Sequence, residues 1–415
     1  MSATAVRPGS LTEGPAHRDP NVLRWLGGYT SSAIGDNVYY IALSWAAVQA
    51  GTPAQAGLVT AVSAVPRALL MLGGGVVADR YGPRRVVLGS STVRCLLVVT
   101  AAAMVLATSP GLWALGAVAV LFGVVDAVFL PATGALPARI TGRDQLARVQ
   151  GMRALATRLA NVLGGPLGGL GVALGGTGGA FGLAALLIGV SLPVLWTVRV
   201  GQLPPDEGKE RGGAVLADIR DGLRHIGRDR VLCPLVLAIA LADLGFVGPM
   251  NLGLTLLAQE RGWGSSGMGW VLAGFGTGAG AASLLLTLRG WVPRAGLVMA
   301  VAEIGGCLAI AGLAHVPTVV GATCVALAVG LLAGLGGALS GALVQAQAGP
   351  AYVGRVTAVS SLVGFGVAPL TFPLVGAATD RWGTGPVFAA CAALCALGGV
   401  LALCSRSLRR AELPR

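Results

Sequence analysis

The chain has 415 residues, of which 54% are hydrophobic and 11% are charged, and its formal net charge is +12. Its mean hydropathy is +0.77. A soluble protein of this length needs far more charge to cover its surface, so the composition indicates a membrane protein. The basic residues lie between apolar runs rather than in one patch, which favours a topology signal over a nucleic-acid-binding face.

Hydropathy along the chain predicts an all-α integral membrane protein with twelve transmembrane helices in two six-helix bundles, since each crossing needs roughly 20 mostly apolar residues. A polar tail at 1–20, which has no apolar signal-peptide core, comes first. The predicted spans are 23–49, 55–78, 86–107, 112–136, 146–174, 178–199, 231–258, 267–288, 294–314, 318–345, 354–377 and 386–405. The polar stretch 201–230 separates an N-terminal bundle at 21–200 from a C-terminal bundle at 231–405, and 406–415 is a second tail.

Arginine predicts the orientation of these spans. The loops on one side carry Arg80, Arg84, Arg85, Arg139, Arg143, Arg148, Arg289, Arg294, Arg355, Arg406, Arg409 and Arg410. The opposite loops carry only Arg261 and Arg381. By the positive-inside bias we expect both termini in the cytoplasm of a multi-pass protein of the bacterial plasma membrane.

The polar stretch between the bundles predicts an amphipathic helix. Leu216, Ile219, Leu223 and Ile226 recur at helical spacing, with charged residues on the opposite side. Such a helix can be an interfacial linker on the inner leaflet or a regulatory or partner helix, and the sequence leaves both interpretations open.

Five charged residues lie in predicted spans, where each costs about 2.5–3.5 kcal/mol on insertion scales. They are Asp36, Arg67, Asp126, Asp243 and Glu303. At about 1.5 Å per residue, each lies roughly 13–21 Å from the end of its span, near the bilayer midplane. Secondary transporters place substrate and coupling-ion sites at this depth between two repeated bundles.

Asp36 is the first candidate for proton coupling. Ser32, Asp36 and Tyr40 fall on one stripe of a helix at spacings of four residues. The alternative is a static ion pair between Asp36 and Arg67. Arg67 could instead balance Asp126 or bind an anionic substrate.

The other polar candidates are single residues in apolar helices. For Asp126 and Asp243, lining a cavity and making a polar contact between helices both remain open. Arg158 and Asn161 lie on span 5 and join Ser32 and Tyr40 as candidate substrate contacts.

Enzyme chemistry has no support in the sequence. His17, His225 and His315 lie at or outside the span ends, and no metal-ligand or nucleophile–base spacing is present. The seven cysteines lie in or beside apolar runs and are expected to be buried small hydrophobes. We therefore expect no enzyme activity, no metal and no cofactor.

A charged turn is written twice, as GVVADRYG at 75–82 and GAATDRWG at 376–383. The first copy resembles the loop 2–3 signature of the major facilitator superfamily. The matching residues are Gly75, Ala78, Asp79, Arg80, Gly82 and Arg84, the last in place of a lysine. Other segments, including SSAIGDNVYYIALSW and GRVTAVSSLVGFGVAPL, resemble the branch that contains macrolide-efflux proteins and enterobactin exporters.

The resemblance implies inverted three-helix repeats, with spans 1, 4, 7 and 10 lining the cavity and spans 3, 6, 9 and 12 peripheral. Asp36, Asp126 and Asp243 then fall on cavity helices, whereas Glu303 falls on a peripheral helix and is a weaker candidate. The arginine of the span 4 drug-transporter motif is missing, so the resemblance does not imply the proton relay of the better-known drug antiporters.

The resemblance also separates the two turns. It implies that Asp79 faces the N-terminus of span 11 near Gly354 and Arg355, where a carboxylate favours the helix dipole. That contact would be a latch between the bundles. The second turn lies on the outer side, where we expect Asp380 and Arg381 to form a structural turn inherited from the repeat.

These patterns predict a secondary active transporter that works by rocker-switch alternating access. Its expected activity is proton-coupled efflux of amphipathic small molecules such as drugs, secondary metabolites or siderophores, with the proton gradient as energy source. The alternatives are uptake or lipid translocation by the same fold, or a membrane sensor without transport. The expected partners are the substrate, protons and the lipid bilayer but no nucleic acid, and the protein is expected to be a monomer.

Overall fold

The computed structural model describes residues 18–108, 110–142, 145–201, 214–289, 292–362 and 370–413. Within these ranges the regular structure is entirely helical, so the all-α prediction is confirmed. The helices are α1 (Pro20–Ala50), α2 (Pro53–Tyr81), α3 (Pro83–Ala107), α4 (Leu112–Ala135), α5 (Pro137–Ile140), α6 (Leu146–Trp196), α7 (Ala214–Arg228), α8 (Leu232–Gly248), α9 (Leu254–Glu260), α10 (Gly264–Arg289), α11 (Ala295–Leu313), α12 (Val319–Leu362), α13 (Thr371–Trp382), α14 (Thr384–Cys404) and α15 (Arg406–Arg409).

The lengths and compositions of most of these helices fit membrane crossings. By length and composition, eight helical segments of the described ranges can cross a membrane. Helices α1 and α2 add 31 and 29 residues, which is also long enough for a crossing. Helices α8 and α9 form one span, joined by a π-helical turn at Pro249–Gly253, where Pro249 has no N–H to donate.

Two pairs of predicted spans are joined without a loop. Helix α6 covers spans 5 and 6 and changes direction at Gly175 and Gly176, where the backbone leaves helical geometry. Gly176 has φ +63°, which a residue with a side chain rarely adopts. Helix α12 continues from span 10 to Leu362, so the expected link between spans 10 and 11 is helical. Alanine and glutamine, which are strong helix formers, are common around that link.

The two charged turns have the same backbone geometry. Gly82 ends α2 with φ +84°, and Gly383 ends α13 with φ +79°. In each case the next helix begins directly after the glycine. Only glycine adopts such a backbone at low cost, which explains the glycine that ends both turns.

The helices pack in two groups, α1 to α6 and α8 to α14, which meet along α6 with α10 and along α2 with α13. Glycines allow the close approach: a Cβ on Gly169 of α6 would lie 2.5 Å from the Cα of Gly269 on α10. Ser44 of α1 also forms a 3.0 Å hydroxyl–hydroxyl hydrogen bond with Thr255 of α9. These contacts lie toward the end of the molecule opposite Gly82, so the groups are held together at that end.

The predicted amphipathic helix is present as α7 and packs against α8 and α12. Ile226 is buried, whereas the Leu223 side chain is exposed. The His225 ring stacks on Tyr352 of α12, with ring centroids 4.0 Å apart. Leu216 and Ile219 lie in the helix, but their side chains lie outside the described part of the structure.

Candidate functional site

Four helices of the N-terminal group bring charged side chains to one buried cluster. Arg94 of α3 lies at its centre and is fully buried. Its Nη1 donates to both carboxylate oxygens of Asp36 on α1, at 2.9 and 2.8 Å, and to Asp126 Oδ1 on α4 at 3.3 Å. Its Nη2 donates to Ser32 Oγ at 2.7 Å. One guanidinium therefore joins three helices.

Arg67 of α2 extends this cluster toward the space between the bundles. Its Nη1 lies 3.6 Å from Asp126 Oδ2 and donates a 3.1 Å hydrogen bond to the Tyr40 hydroxyl. We call Asp36, Arg67, Arg94 and Asp126 the charge cluster. Its two carboxylates and two guanidiniums offset each other, which is how charge is usually accommodated inside a membrane.

Aromatic rings enclose the charge cluster. The Arg94 guanidinium carbon lies 3.6 Å from the centroid of the Phe129 ring, a cation–π contact. Tyr39 and Phe122 stack with centroids 3.9 Å apart. The low dielectric of these surroundings strengthens the ion pairs and makes their loss expensive.

Arg94 is not among the candidate residues of the sequence analysis, and of the two carboxylates left open as partners of Arg67, Asp36 and Asp126, the structure shows Asp126. Asp36 pairs with Arg94, and Arg67 pairs with Asp126. The signal was available, because Arg94 interrupts the apolar run of predicted span 3.

A cavity of about 440 Å³ lies beside the charge cluster, between the two helix groups. We call it the central cavity. Its polar wall includes Tyr40, Arg67, Asn161 and Asn251, and most of the remaining wall is apolar, as at Met250. Asn37 Nδ2 donates to Asn161 Oδ1 at 3.2 Å and ties α1 to α6 at this wall. The cavity suits a molecule with both apolar and hydrogen-bonding parts.

The predicted cavity residues divide between the wall and the space behind it. Tyr40, Arg67 and Asn161 line the central cavity as expected. Ser32 is completely buried and hydrogen-bonded to Arg94, and it does not line the central cavity, so its role as a substrate contact stays a prediction. Asp36 and Asp126 do not line the central cavity. Their carboxylates contact Arg94, behind the residues that form the cavity wall.

The C-terminal group holds its own cavity, of about 580 Å³. We call it the C-terminal cavity. Asp243 of α8 and Glu303 of α11 both line it, so Asp243 is not part of the charge cluster. Glu303 faces this cavity although its span was expected to be peripheral. Among the described residues, no three His, Cys, Asp or Glu side chains come together as metal ligands.

The loop 2–3 motif can be described only in part. Gly75 and Asp79 lie in α2, and Gly354 and Arg355 lie in α12, but the side chains of Asp79 and Arg355 fall outside the described part of the structure. The same holds for Arg158 in α6.

The two described arginines of the motif make local contacts. The Arg80 guanidinium carbon lies 5.8 Å from the centroid of the Tyr81 ring. Arg84 Nη2 donates to the Trp196 carbonyl at 2.6 Å. That bond anchors the start of α3 to the end of α6, within the N-terminal group.

Curated relatives of the chain are exporters by name. It is 28% identical over 307 residues to the enterobactin exporter EntS of Salmonella paratyphi A, covering 73% of this chain and 72% of that protein. It is 28% identical over 400 residues to the multidrug efflux pump Tap of Mycobacterium tuberculosis, covering 92% of both.

Solved structures share the fold at low sequence identity. The nucleoside transporter NupG superposes with a TM-score of 0.70 at 13% identity, covering 94% of this chain and 99% of NupG. A D-xylose-proton symporter superposes with a TM-score of 0.69 at 13% identity, covering 93% of this chain and 96% of the symporter.

The family model of the Major Facilitator Superfamily matches residues 25–369. Members of this family are membrane transporters rather than enzymes, in agreement with the sequence prediction. The helical architecture, the central cavity between two helix groups and the family match lead to one conclusion: the chain is a multi-pass membrane transporter that belongs to the Major Facilitator Superfamily.

Proposed function

We propose that this transporter exports amphipathic small molecules in exchange for protons, by rocker-switch alternating access. The observation that carries the proposal is the connection between the charge cluster and the central cavity. Tyr40 lies one helical turn from Asp36, and Arg67 contacts both Tyr40 and Asp126. A change of charge at Asp36 can therefore reach the wall that a substrate touches.

Protonation of Asp36 is the coupling step of this proposal. The neutral carboxyl group no longer balances Arg94, which then relies on Asp126 for its charge partner. Arg67 competes for the same carboxylate, so its contact with Asp126 weakens and its position in the cavity wall changes. A proton and a substrate then favour different arrangements of one network, which is the requirement for exchange.

The wall of the central cavity supports an amphipathic substrate. Apolar side chains cover most of it, and amides at Asn161 and Asn251 offer a few hydrogen bonds. Arg67 already has a carboxylate partner, which disfavours a polyanionic substrate. The names of the relatives, an enterobactin exporter and a multidrug efflux pump, support export.

The proposed setting is the bacterial plasma membrane, with both termini cytoplasmic. The protein would act as a monomer, take its energy from the proton gradient and need no cofactor. In this orientation the contact between Gly169 of α6 and Gly269 of α10 lies toward the outer side, and the turn at Gly82 faces the cytoplasm. The latch between Asp79 and the Gly354–Arg355 region would form when the cytoplasmic ends close.

Purified protein in proteoliposomes with an imposed pH gradient tests the proposal. We expect a lipophilic fluorescent probe to move against the proton flux in wild type, and Asp36→Asn to abolish that movement while the protein stays folded. Probe movement together with the protons would favour uptake. Saturable binding without flux would favour a sensor, and unchanged gradient-driven flux in Asp36→Asn would refute the coupling role.

A further inference from the structure

The C-terminal cavity is separate from the charge cluster and lies within one helix group. Helices α8, α11, α12 and α14 all contribute to its wall. Helix α12 presents Gly336, Gly337 and Gly341 to it among larger residues such as Leu332 and Val344, so part of this wall has no side chains. A Cβ placed on Gly337 or Gly341 would meet no atom within 4 Å, which shows that the space beside these glycines is open.

Two carboxylates, Asp243 and Glu303, are the charged side chains of this wall. Neither forms an ion pair with any residue that the structure describes, and no described arginine or lysine lines the cavity. Glu303 Oε1 is shielded from solvent and accepts no hydrogen bond from the described residues. Gly398 of α14 makes room for it, since a Cβ there would lie 2.8 Å from Glu303 Oε1.

The carboxylates of the charge cluster, unlike Asp243 and Glu303, form ion pairs. Asp36 and Asp126 are both neutralised by arginines at 2.8 to 3.6 Å. Buried charges in membrane helices are normally paired in this way, or they mark a pathway for an ion or a substrate. The C-terminal cavity therefore offers two carboxyl groups and free space, with no cationic side chain among the described residues that line it.

The rest of the wall limits the kind of cation that fits. Ile239, Ile310 and Leu332 are apolar, and Phe246 adds an aromatic ring. A small hydrated metal ion would need several oxygen or nitrogen ligands, and the described side chains do not converge in such a group. Apolar and aromatic walls with a few acidic groups suit a lipophilic organic cation.

The C-terminal cavity also adjoins the central cavity. Phe246 and Val247 of α8 line both spaces. The Phe246 ring lies 5.8 Å from the ring of Phe275, which belongs to the wall of the central cavity. A ligand in either space would therefore contact the same two residues of α8.

We propose that the C-terminal cavity is a second binding site, which takes a lipophilic organic cation between Asp243 and Glu303. This proposal concerns binding and does not depend on the direction or the coupling of transport. It extends the proposed function, because an exporter with this site would accept cationic amphiphiles in addition to the ligands of the central cavity.

Equilibrium binding of tetraphenylphosphonium to the purified full-length protein, at mildly alkaline pH and without any gradient, tests the proposal. Tetraphenylborate is the matched probe, since it has nearly the same shape and the opposite charge. We expect wild type to bind the cation saturably and to bind the anion at least about tenfold more weakly.

Three variants locate the site. Asp243→Asn and Glu303→Gln remove one charge each and should each weaken cation binding about tenfold or more. Gly337→Leu keeps both carboxylates but fills the cavity, and it should abolish binding while the helix remains intact. Asp380→Asn, in the exposed last turn of α13, is the control and should bind as wild type does.

The outcomes distinguish failure of the second site from failure of the proposed function. Unchanged cation binding in Glu303→Gln and Gly337→Leu, both verified as folded by size-exclusion chromatography, would overturn the second site. If Asn161→Ala loses cation binding and Glu303→Gln binds as wild type does, the cation lies in the central cavity. That result would also overturn the second site. If Glu303→Gln weakens cation binding but the wild type shows no flux in proteoliposomes, the result would support the second site and count against the proposed export.

Discussion

Arg94 is the residue on which the N-terminal helix group depends most. Its guanidinium donates to Asp36, Asp126 and Ser32, and each partner comes from a different turn or helix. A buried ion pair adds little net stability when it is complete, because desolvation offsets the attraction. Removal of one partner is costly, since it leaves an uncompensated charge in a medium that cannot solvate it.

We therefore expect Arg94→Leu to lower the free energy of unfolding by about 3–5 kcal/mol, because two carboxylates would share only Arg67. Thermal unfolding in detergent measures the change. Arg85→Leu is the matched control, since Arg85 is exposed on the same helix and should change stability by about 0.5 kcal/mol or less. Equal losses in the two variants would contradict a central role for Arg94.

At the scale of the elements, the two charged turns share a glycine with positive φ at two different places in the fold. Gly82 and Gly383 both have positive φ, and each lies between two long helices. A side chain at either position would strain the backbone of the turn, regardless of which residues precede the glycine. The backbone requirement explains the repeated glycine, whereas it does not explain the repeated Asp-Arg pair.

Gly82→Ala and Gly383→Ala should each lower the free energy of unfolding by about 1–3 kcal/mol, because both place a Cβ at positive φ. The effect should be similar in the two turns. Gly89→Ala is the control: Gly89 lies inside α3 with open space around it, so alanine should be neutral or stabilising there. A loss at only one of the two turns would contradict their structural equivalence.

The charged residues of the two turns should differ in function. We expect Asp79→Lys to reduce transport at least about tenfold, because it reverses the charge of the proposed latch, and Asp380→Lys to change transport less than about twofold. Initial rates of probe efflux in proteoliposomes give the comparison. Equal loss in the two variants would remove the distinction between a gate and a structural turn.

At the scale of the whole molecule, the two helix groups are held together at one end. Glycines let α6 approach α10 and α2 approach α13, and Ser44 bonds to Thr255 across the same interface. Small residues at such contacts are typical of membrane helices, whose association relies on close packing rather than on the hydrophobic effect. Alternating access requires this interface to open while the opposite end closes.

A crosslink across that interface should stop transport. In the double variant Ser44→Cys/Thr255→Cys the new thiols replace hydroxyl oxygens that lie 3.0 Å apart. We expect oxidation to abolish efflux and reduction to restore it, because the bundles must separate at this point. The two single variants are the controls for the native cysteines, and full activity of the oxidised double variant would contradict the rocker-switch motion.

Much of this fold could be predicted from sequence, because the information needed is local. Long apolar runs define the spans, a glycine after Asp-Arg defines each turn, and arginine counts predict the orientation. The difficult place was one link: α12 continues past the expected end of span 10, whereas the backbone leaves helical geometry at Gly175 and Gly176, between predicted spans 5 and 6. In α12, alanine and glutamine favour a helix although the hydropathy drops as it does at most span ends.

The sequence by itself determined the membrane class and the family resemblance, and it predicts the depth of the charged residues in the bilayer. Only the tertiary structure decided which charges meet: Asp36 with Arg94, Arg67 with Asp126, and Asp243 with Glu303 around one cavity. The physical reason is helix rotation. In a helix that is apolar on nearly all sides, the position of a charged residue along the chain indicates its depth in the bilayer. Such a helix has no polar face, so its sequence does not indicate the direction in which the charged side chain points.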